Sequence, residues 1–359
     1  MNIAFRADAS DDIGIGHIMR CLTLAKALQK HGATITFICR SLPALLSKKI
    51  ESSGAQLLLI ACQHSDSLEG EIEQLQGLFT AAQYRWFIID HYHSDIHYER
   101  HFKPLVPYIM VIDDLADRSH DCDILLDQTP DRAANDYRTL IPDHCQALLG
   151  QRYALIRDEF IEDDDYSEHS YRIDSVLITL GGSDPSGVLP RLINTVRFSE
   201  KLESYGFSII VPNTLYQKLR DEGVEDSRKL SLLNITATLA DTMLADKMLA
   251  NKMLADRMRQ HDLIVTNCGV TLLERCALGK PGIGIVVADN QVNNARAIEH
   301  NGAGLIIYPQ HQLEESLAMH IHHLSKHSAA CLQMMNKAKN VIDGQGKYRV
   351  CKRLLSYQT

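Results

Sequence analysis

The chain has 359 residues, of which 45% are hydrophobic and 23% are charged, a composition typical of a soluble globular protein with two domains. Its formal net charge of -8 argues against a general nucleic-acid binder and against a protein that binds anionic membranes. Nine cysteines without a CxxC pair, no visible signal peptide and no long apolar run predict a cytoplasmic protein with reduced thiols and no membrane insertion.

The first half of the chain alternates short apolar runs with helical patterns. The predicted strands are Asn2–Arg6, Thr34–Cys39, Gln56–Ile60, Trp86–Asp90, Tyr108–Asp113 and Asp123–Asp127. The predicted helices between them are His17–Lys30, Leu42–Ser53, Leu68–Ala82 and Asp95–Phe102. Continuous apolar strands separated by helices indicate βαβ units in a parallel sheet that is covered on both faces.

An acidic stretch, "EDDDYSEHSY" at Glu162–Tyr171, follows and is typical of a linker. The alternation then restarts with predicted strands at Ser175–Gly182, Phe207–Pro212, Leu263–Asn267, Gly282–Val287 and Gly304–Pro309. We therefore predict two Rossmann-like domains, at 1–160 and 173–340, a linker at 161–172, and a last helix at 341–359 that packs back on the first domain. Ligands in open α/β sheets lie beyond the carboxyl ends of the strands, so we expect the site in a cleft that both parallel sheets face.

Leu239–Met258 is an internal repeat, "LADTM LADKM LANKM LADRM". Its residue types favour a helix, but each repeat advances the leucine by roughly 140° around a helix axis, so the leucines form no single stripe. The segment is interpreted as a helical insertion, either an oligomer contact or a tolerated expansion without a role.

The turn "GIGH" follows the first predicted strand and opens a predicted helix. Gly14 and Gly16 allow a tight turn, and Met19 stands where a dinucleotide-binding motif has its third glycine. His17 lies at the positive end of the helix dipole, which disfavours the protonated imidazole and suits a general base. The alternative is a surface histidine that only starts a helix.

Three loops of the second half carry polar or small residues where predicted strands end. "LGGSDPSG", with Gly181, Gly182 and Ser183, fits a phosphate cradle or a plain βα turn. "TNCGVTLLERCALGKP" carries Glu274, which suits the two hydroxyls of a ribose or merely complements a helix dipole. "ADNQVNNA" supplies Gln291, Asn293 and Asn294 for phosphate and sugar oxygens.

Histidine pairs at i,i+4 spacing invite a metal interpretation. They occur as His97 with His101 and as His323 with His327, and neither pair has an HExxH motif or an obvious third ligand. Solvated helix faces are the simpler interpretation, so we predict neither a metal nor a cofactor.

A set of longer motifs occurs in order along almost the whole chain. They are "RADASDDIGIGHIMRCLTLA", "IIDHYHSD", "VIDDLADRSHDCDILLDQ", "LLGQRYALIRDEF", "ITLGGSDPSG" and "LERCALGKPGIGIVVADNQVNNA". Together they resemble the UDP-2,4-diacetamido-2,4,6-trideoxy-β-L-altropyranose hydrolases of the pseudaminic-acid pathway. The second half is also similar to the UDP-sugar glycosyltransferases that include the lipid II-forming N-acetylglucosaminyltransferase.

The resemblance implies a GT-B architecture, with UDP bound by the second domain and the sugar presented to the first. It implies that His17 activates a water, which attacks the anomeric carbon, inverts it and expels UDP without a metal. The implied partners are the UDP-linked sugar and water. The predicted substrate-binding residues are Asp8, Gly14, Gly16, Tyr92, Gly181, Gly182, Ser183, Asn267, Gly269, Glu274, Gln291 and Asn294.

Some of these assignments carry alternatives. We expect Asp8 either to orient the His17 imidazole or to form a plain Asp–Arg pair within the turn. Leu273 stands where many relatives have an aromatic residue, which leaves the uridine contacts open. A glycosyltransferase of the same fold and a non-catalytic UDP-sugar binding module are the alternative functions.

Overall fold

The structure is a computed structural model of the chain. It describes residues 1–10, 13–60, 68–82, 84–161, 170–181, 187–234, 249–308 and 312–357. The chain forms two compact units, which divide after Leu155 and after Gly344. Unit 1 comprises Met1–Leu155 with Gln345–Thr359, and unit 2 comprises Ile156–Gly344.

Unit 1 begins with alternating strands and helices: β1 (Asn2–Ala7), α1 (Gly16–Gln29), β2 (Thr34–Cys39), α2 (Ala44–Ser52), β3 (Gln56–Leu59), α3 (Leu68–Ala82), β4 (Trp86–Asp90), α4 (Ile96–Phe102), β5 (Tyr108–Ile112), β6 (Ile124–Asp127) and β7 (Gln146–Leu149). The seven strands form one sheet in the order β3-β2-β1-β4-β5-β6-β7, and every neighbouring pair is parallel. β4 is buried along its whole length because helices cover both faces of the sheet.

Unit 2 repeats this plan: β8 (Ser175–Thr179), α5 (Val188–Phe198), β9 (Gly206–Val211), α6 (Asn213–Asp221), β10 (Leu230–Asn234), α7 (Leu249–Gln260), β11 (Leu263–Asn267), α8 (Val270–Ala277), β12 (Gly282–Ile285), α9 (Val292–His300), β13 (Leu305–Ile307), α10 (Leu313–Lys326) and α11 (Ser328–Val341). Its six strands are parallel in the order β10-β9-β8-β11-β12-β13. The last helix, α12 (Gly346–Ser356), belongs to unit 1, where Val350, Cys351 and Leu354 join the core formed by β1 and α1.

The predicted α/β class and the parallel sheets are confirmed. Every predicted strand is present, and β7 and β10 are two short strands that the sequence analysis missed. The second half of the pentapeptide repeat, residues 249–258, lies in α7, while residues 239–248 lie outside the described part of the chain. In the described segments, no helix is long and apolar enough to cross a bilayer.

Candidate active site

The start of α1 places His17 at the carboxyl end of the first sheet. β1 ends at Ala7, and the chain turns back where the Gly14 amide donates to the Ser10 carbonyl at 2.8 Å. Gly14 has a φ of 77°, which a residue with a side chain rarely adopts. α1 then begins at Gly16, so that His17 is its second residue and Arg20 lies one turn further on the same face.

His17, Asp90 and Arg20 form a buried hydrogen-bonded cluster. His17 Nδ1 lies 2.5 Å from Asp90 Oδ1. Arg20 grips the same carboxylate with two bonds, from Nε to Oδ2 at 2.7 Å and from Nη2 to Oδ1 at 2.6 Å. The exposed fractions of the His17, Arg20 and Asp90 residues are 6%, 4% and 1%. The cluster is therefore shielded from bulk water, which strengthens its electrostatic interactions.

The contacts of Asp90 determine which nitrogen of His17 carries the proton. Burial alone would raise the pKa of Asp90, but the charge of Arg20 and the His17 contact hold that pKa well below its usual range. An ionised carboxylate only accepts hydrogen bonds, so a nitrogen 2.5 Å away has to be a donor. We therefore assign the proton of the neutral ring to Nδ1. Nε2, which has no hydrogen-bond partner among the described residues, keeps its lone pair and can accept a proton.

Tyr92 and Asp114 complete the surroundings of this cluster. The Tyr92 ring meets the His17 ring edge-on, with centroids 4.7 Å apart and an interplanar angle of 84°. Asp114, which follows β5, accepts from Arg20 Nη1 at 2.8 Å and from the Tyr92 hydroxyl at 3.4 Å. The predicted site residue Tyr92 thus lies against the imidazole.

Asp8 does not orient the imidazole, because the carboxylate at His17 is Asp90. Asp8 instead pairs with Arg6 at 2.8 Å and accepts the backbone amide of Arg40 at 2.7 Å. The alternative, an Asp–Arg pair within the turn, is what the structure contains. Burial would raise the pKa of Asp8, but its hydrogen bond from His91 and the Arg6 charge hold that pKa well below its usual range.

His91 forms a second imidazole–carboxylate pair beside the first, with the proton on the opposite nitrogen. Its Nε2 lies 3.2 Å from Asp8 Oδ2, and its Nδ1 accepts the backbone amide of His93 at 3.2 Å. Both ring nitrogens are therefore occupied. Of these two histidines, only His17 keeps a nitrogen available as a base.

In unit 2, the ends of β8 and β11 are tied together by one side chain. Asn267 Nδ2 donates to the Leu180 carbonyl at 2.8 Å, and its Oδ1 faces the Gly269 amide at 3.5 Å. Gly181 has a φ of 95°, and a Cβ there would lie 3.2 Å from Asn267 Nδ2. Three of the predicted residues thus meet at the carboxyl edge of the second sheet. Gly182 and Ser183 lie outside the described residues.

Gln291 and Asn294 connect the loop after β12 to the loop after β11. Gln291 Oε1 accepts the backbone amides of Cys268 and Val287, both at 3.2 Å. Asn294 Nδ2 donates to the Cys268 carbonyl at 3.1 Å. The Gln291 oxygen is thus occupied by backbone donors, so its NH₂ group is the part of the side chain left to act as a donor.

Glu274 lies in α8 and forms a bidentate pair with Arg157. Arg157 Nε donates to Oε1 at 2.6 Å and Nη2 donates to Oε2 at 2.8 Å, and the Glu274 residue is 2% exposed. Each carboxylate oxygen keeps a second lone pair, so a fixed carboxylate can still accept two hydroxyl donors. The neighbouring Leu273 is 1% exposed and packs into the interior.

The sequence analysis did not assign the partners that hold these side chains. They are Arg20, Asp90, Asp114 and Arg157. Two signals in the sequence could have found Asp90 and Arg20. Asp90 ends a predicted strand, where ligand-binding residues of α/β sheets lie, and Arg20 follows His17 by three residues, which places both on one helix face. Among the described residues, no group of three or more His, Cys, Asp or Glu side chains is placed to hold a metal ion.

Comparisons with known proteins agree with this architecture. Residues 176–354 match the glycosyltransferase family 28 C-terminal domain. The UDP-2,4-diacetamido-2,4,6-trideoxy-β-L-altropyranose hydrolase of Campylobacter jejuni is 32% identical over 184 residues, which cover 51% of this chain and 61% of that protein. An uncharacterized protein of Methanocaldococcus jannaschii is 24% identical over 289 residues, which cover 78% of this chain and 54% of that protein. Both alignments thus cover less than two thirds of the relative's own length.

Solved structures share the fold at low sequence identity. MurG of Acinetobacter baumannii has a TM-score of 0.63 at 13% identity and covers 99% of both chains. The S. aureus MnaA–UDP structure has a TM-score of 0.67 at 12% identity, covering 98% of this chain and 95% of that one. The predicted resemblance to the altropyranose hydrolases is confirmed, and the chain has the two Rossmann-like units of the GT-B fold, with residues 176–354 similar to the glycosyltransferase family 28 C-terminal domain.

Proposed function

We propose that this protein hydrolyses UDP-2,4-diacetamido-2,4,6-trideoxy-β-L-altropyranose to the free sugar and UDP, a step of pseudaminic acid biosynthesis. The observation that carries the proposal is the buried 2.5 Å contact between His17 Nδ1 and Asp90 Oδ1, from which we assign Nε2 as the nitrogen that accepts a proton. The motifs along the chain and the name of the C. jejuni relative supply the substrate.

The chemistry follows from this one nitrogen. His17 Nε2 takes a proton from a water as the water oxygen forms a bond to C1 of the sugar. The C1–O bond breaks, its electron pair leaves with the β-phosphate oxygen of UDP, and the configuration at C1 inverts. The imidazolium that forms is stabilised by Asp90, as in other His–carboxylate pairs, and later returns its proton to solvent. Water is the only co-reactant of the step, and we propose, as the resemblance implies, that it needs neither a metal nor a cofactor.

We assign UDP to the carboxyl edge of the sheet in unit 2. We assign the backbone N–H of Gly181 and the side-chain amide of Gln291 as donors to the diphosphate, and Gly269, whose N–H faces Asn267 Oδ1, to the loop that forms this site. Glu274, held by Arg157, supplies acceptors for the ribose hydroxyls, and we assign Asn294, in the first turn of α9, to the same ligand. We assign Tyr92, whose ring lies against that of His17, to the sugar.

The test is turnover of the UDP-sugar in ¹⁸O water without an acceptor, in the presence of a chelator. We expect the label in the free sugar and none in UDP, because the C1–O bond is the one that breaks. His17→Asn should abolish turnover and leave UDP binding intact, whereas His97→Gln, which changes an exposed histidine on α4, should behave like the natural protein. Label in UDP, or full activity of His17→Asn, contradicts the proposal.

A glycosyltransferase is the second candidate, favoured by the family of the C-terminal domain. The same base would then deprotonate an acceptor hydroxyl, and the same loops would hold the UDP-sugar donor. UDP release that requires an added acceptor would establish this alternative. Tight UDP binding without turnover under either condition would identify a binding module.

A further inference from the structure

The guanidinium of Arg20 occupies an unusual place between an imidazole and two carboxylates. Its Nη2 lies 3.2 Å from His17 Nδ1, and its Nη1 donates to Asp114 at 2.8 Å. Its two remaining bonds go to Asp90, the carboxylate that also holds His17. A cation is therefore in contact with the ring that would gain a positive charge during catalysis.

An Asp–His pair alone favours the protonated imidazole, because an adjacent anion stabilises a cation. A general base that is already protonated cannot act, so the orienting carboxylate has a cost as well as a benefit. A positive charge that shares the carboxylate offsets the attraction and leaves the orientation unchanged. Arg20 meets this requirement with a bidentate grip, since a guanidinium offers several donors in one plane.

We infer that Arg20 is a positioning residue that holds the Asp90 carboxylate and keeps the His17 ring neutral, and that Asp114 sets how strongly it does so. The inference rests on the proposed function for its kinetic readout only. Among the described residues, the titratable and charged groups in contact with this cluster are Asp90 from β4, Arg20 and Cys21 from α1, Tyr92 from the loop after β4, Asp114 after β5, and Arg132, which donates to the Asp114 carbonyl.

Two substitutions should shift the pH at which the His17 ring titrates, in opposite directions. Arg20→Gln removes the cation, so Asp90 stabilises the imidazolium unopposed and the ring should titrate at higher pH. Asp114→Asn removes the anion that balances Arg20, so the ring should titrate at lower pH. Each shift should be ~1 pH unit, as expected for one charge a few ångströms away.

The measurement is the titration of the His17 ring nitrogens by NMR in the full chain labelled at histidine, with His17→Asn assigning the signal. The acid limb of the pH–rate profile of turnover should move in parallel. Arg20→Lys keeps the positive charge but loses the bidentate hydrogen bond to Asp90. In this variant the His17 ring should titrate closer to the pH of the natural protein than it does in Arg20→Gln, and turnover should be slower than in the natural protein. Asp117→Asn removes an equal charge from an exposed side chain and should change neither readout.

Asp114→Asn keeps the inference testable if Arg20→Gln does not fold. Asp114 Oδ1 has no hydrogen-bond partner among the described residues, so an amide group there breaks no existing bond. The inference is overturned if the pH at which His17 titrates in Arg20→Gln and Asp114→Asn does not differ from that in the Asp117→Asn control. It is also overturned if that pH moves in the same direction in Arg20→Gln and Asp114→Asn. Activity that persists in His17→Asn would instead refute the proposed function, while the NMR titration would still test the role of Arg20.

Discussion

Replacing Asp90 with Asn tests whether this carboxylate orients the His17 imidazole and fixes its proton. The carboxylate accepts from His17 Nδ1, from Arg20 Nε and Nη2, and from the Cys21 thiol. An amide keeps only one of the two oxygens. If its NH₂ takes the place of Oδ2, Arg20 Nε and the Cys21 thiol lose their acceptor. If its NH₂ takes the place of Oδ1, Arg20 Nη2 loses its acceptor, His17 Nδ1 has to accept, and the ring proton moves to Nε2, which removes the base.

Both orientations therefore reduce the rate of the chemical step. A general base contributes ~10²–10⁴ to the rate, and we expect Asp90→Asn to lose most of that range in kcat. The variant also leaves the Arg20 charge incompletely paired in a buried site, which costs stability of up to ~3–5 kcal/mol. UDP affinity should be unchanged, because the residues assigned to UDP belong to unit 2.

The assay is the release of UDP at saturating substrate, with UDP affinity from calorimetry and folding from circular dichroism and thermal unfolding. Asp117→Asn serves as the control, since its exposed carboxylate pairs, within the described residues, with its sequence neighbour Arg118 alone. A folded Asp90→Asn protein with the natural kcat would show that Asp90 neither orients the imidazole nor fixes its proton.

Three further predictions concern the nucleotide site and stability. Glu274→Gln should weaken UDP binding by ~1.5–3 kcal/mol and abolish any preference for UDP over 2′-deoxy-UDP, both measured by calorimetry. An unchanged preference would show that Glu274 does not bind the ribose. Gly181→Ala, at a φ of 95° and in contact with Asn267, should cost ~1–3 kcal/mol of stability by urea denaturation and weaken UDP binding, and a neutral effect would contradict the strained turn. Because folding lowers the pKa values of Asp8 and Asp90, the stability that these carboxylates contribute is present above their unfolded pKa of ~3.9 and is lost as the pH falls below it. The free energy of unfolding, measured in urea across this pH range, should fall with pH, and it should fall less in Asp8→Asn.

The fold was predictable because its signals are local. The strands of a parallel sheet are continuous apolar runs, and the turns between them contain glycines, so β1 and the start of α1 follow from neighbouring residues. His17 was found for the same reason, as a histidine directly after a glycine turn. The strands β7 and β10 were missed because each lies at the edge of its sheet and is partly exposed, so polar residues interrupt its apolar run.

The partners of the site residues depend on contacts that are distant in sequence. Asp90 lies 73 residues from His17, and Arg157 lies 117 residues from Glu274. Sequence spacing placed Asp8 near His17 because the two are close along the chain. The structure shows instead that the neighbouring strand supplies the carboxylate, since Ala7 of β1 is in register with Asp90 of β4.

The same topological position serves both units. In each sheet the strand order reverses between the first and the fourth strand, at β1–β4 in unit 1 and at β8–β11 in unit 2. The loops that leave such a pair diverge to opposite faces of the sheet and leave a crevice at the carboxyl ends. In unit 1 this position holds the His17–Asp90 pair, and in unit 2 Asn267 there binds the carbonyl of Leu180, next to Gly181. Because the backbone provides the same crevice twice, the difference between the proton-accepting site that we propose in unit 1 and the phosphate-binding site that we propose in unit 2 lies in the few side chains at these loop starts.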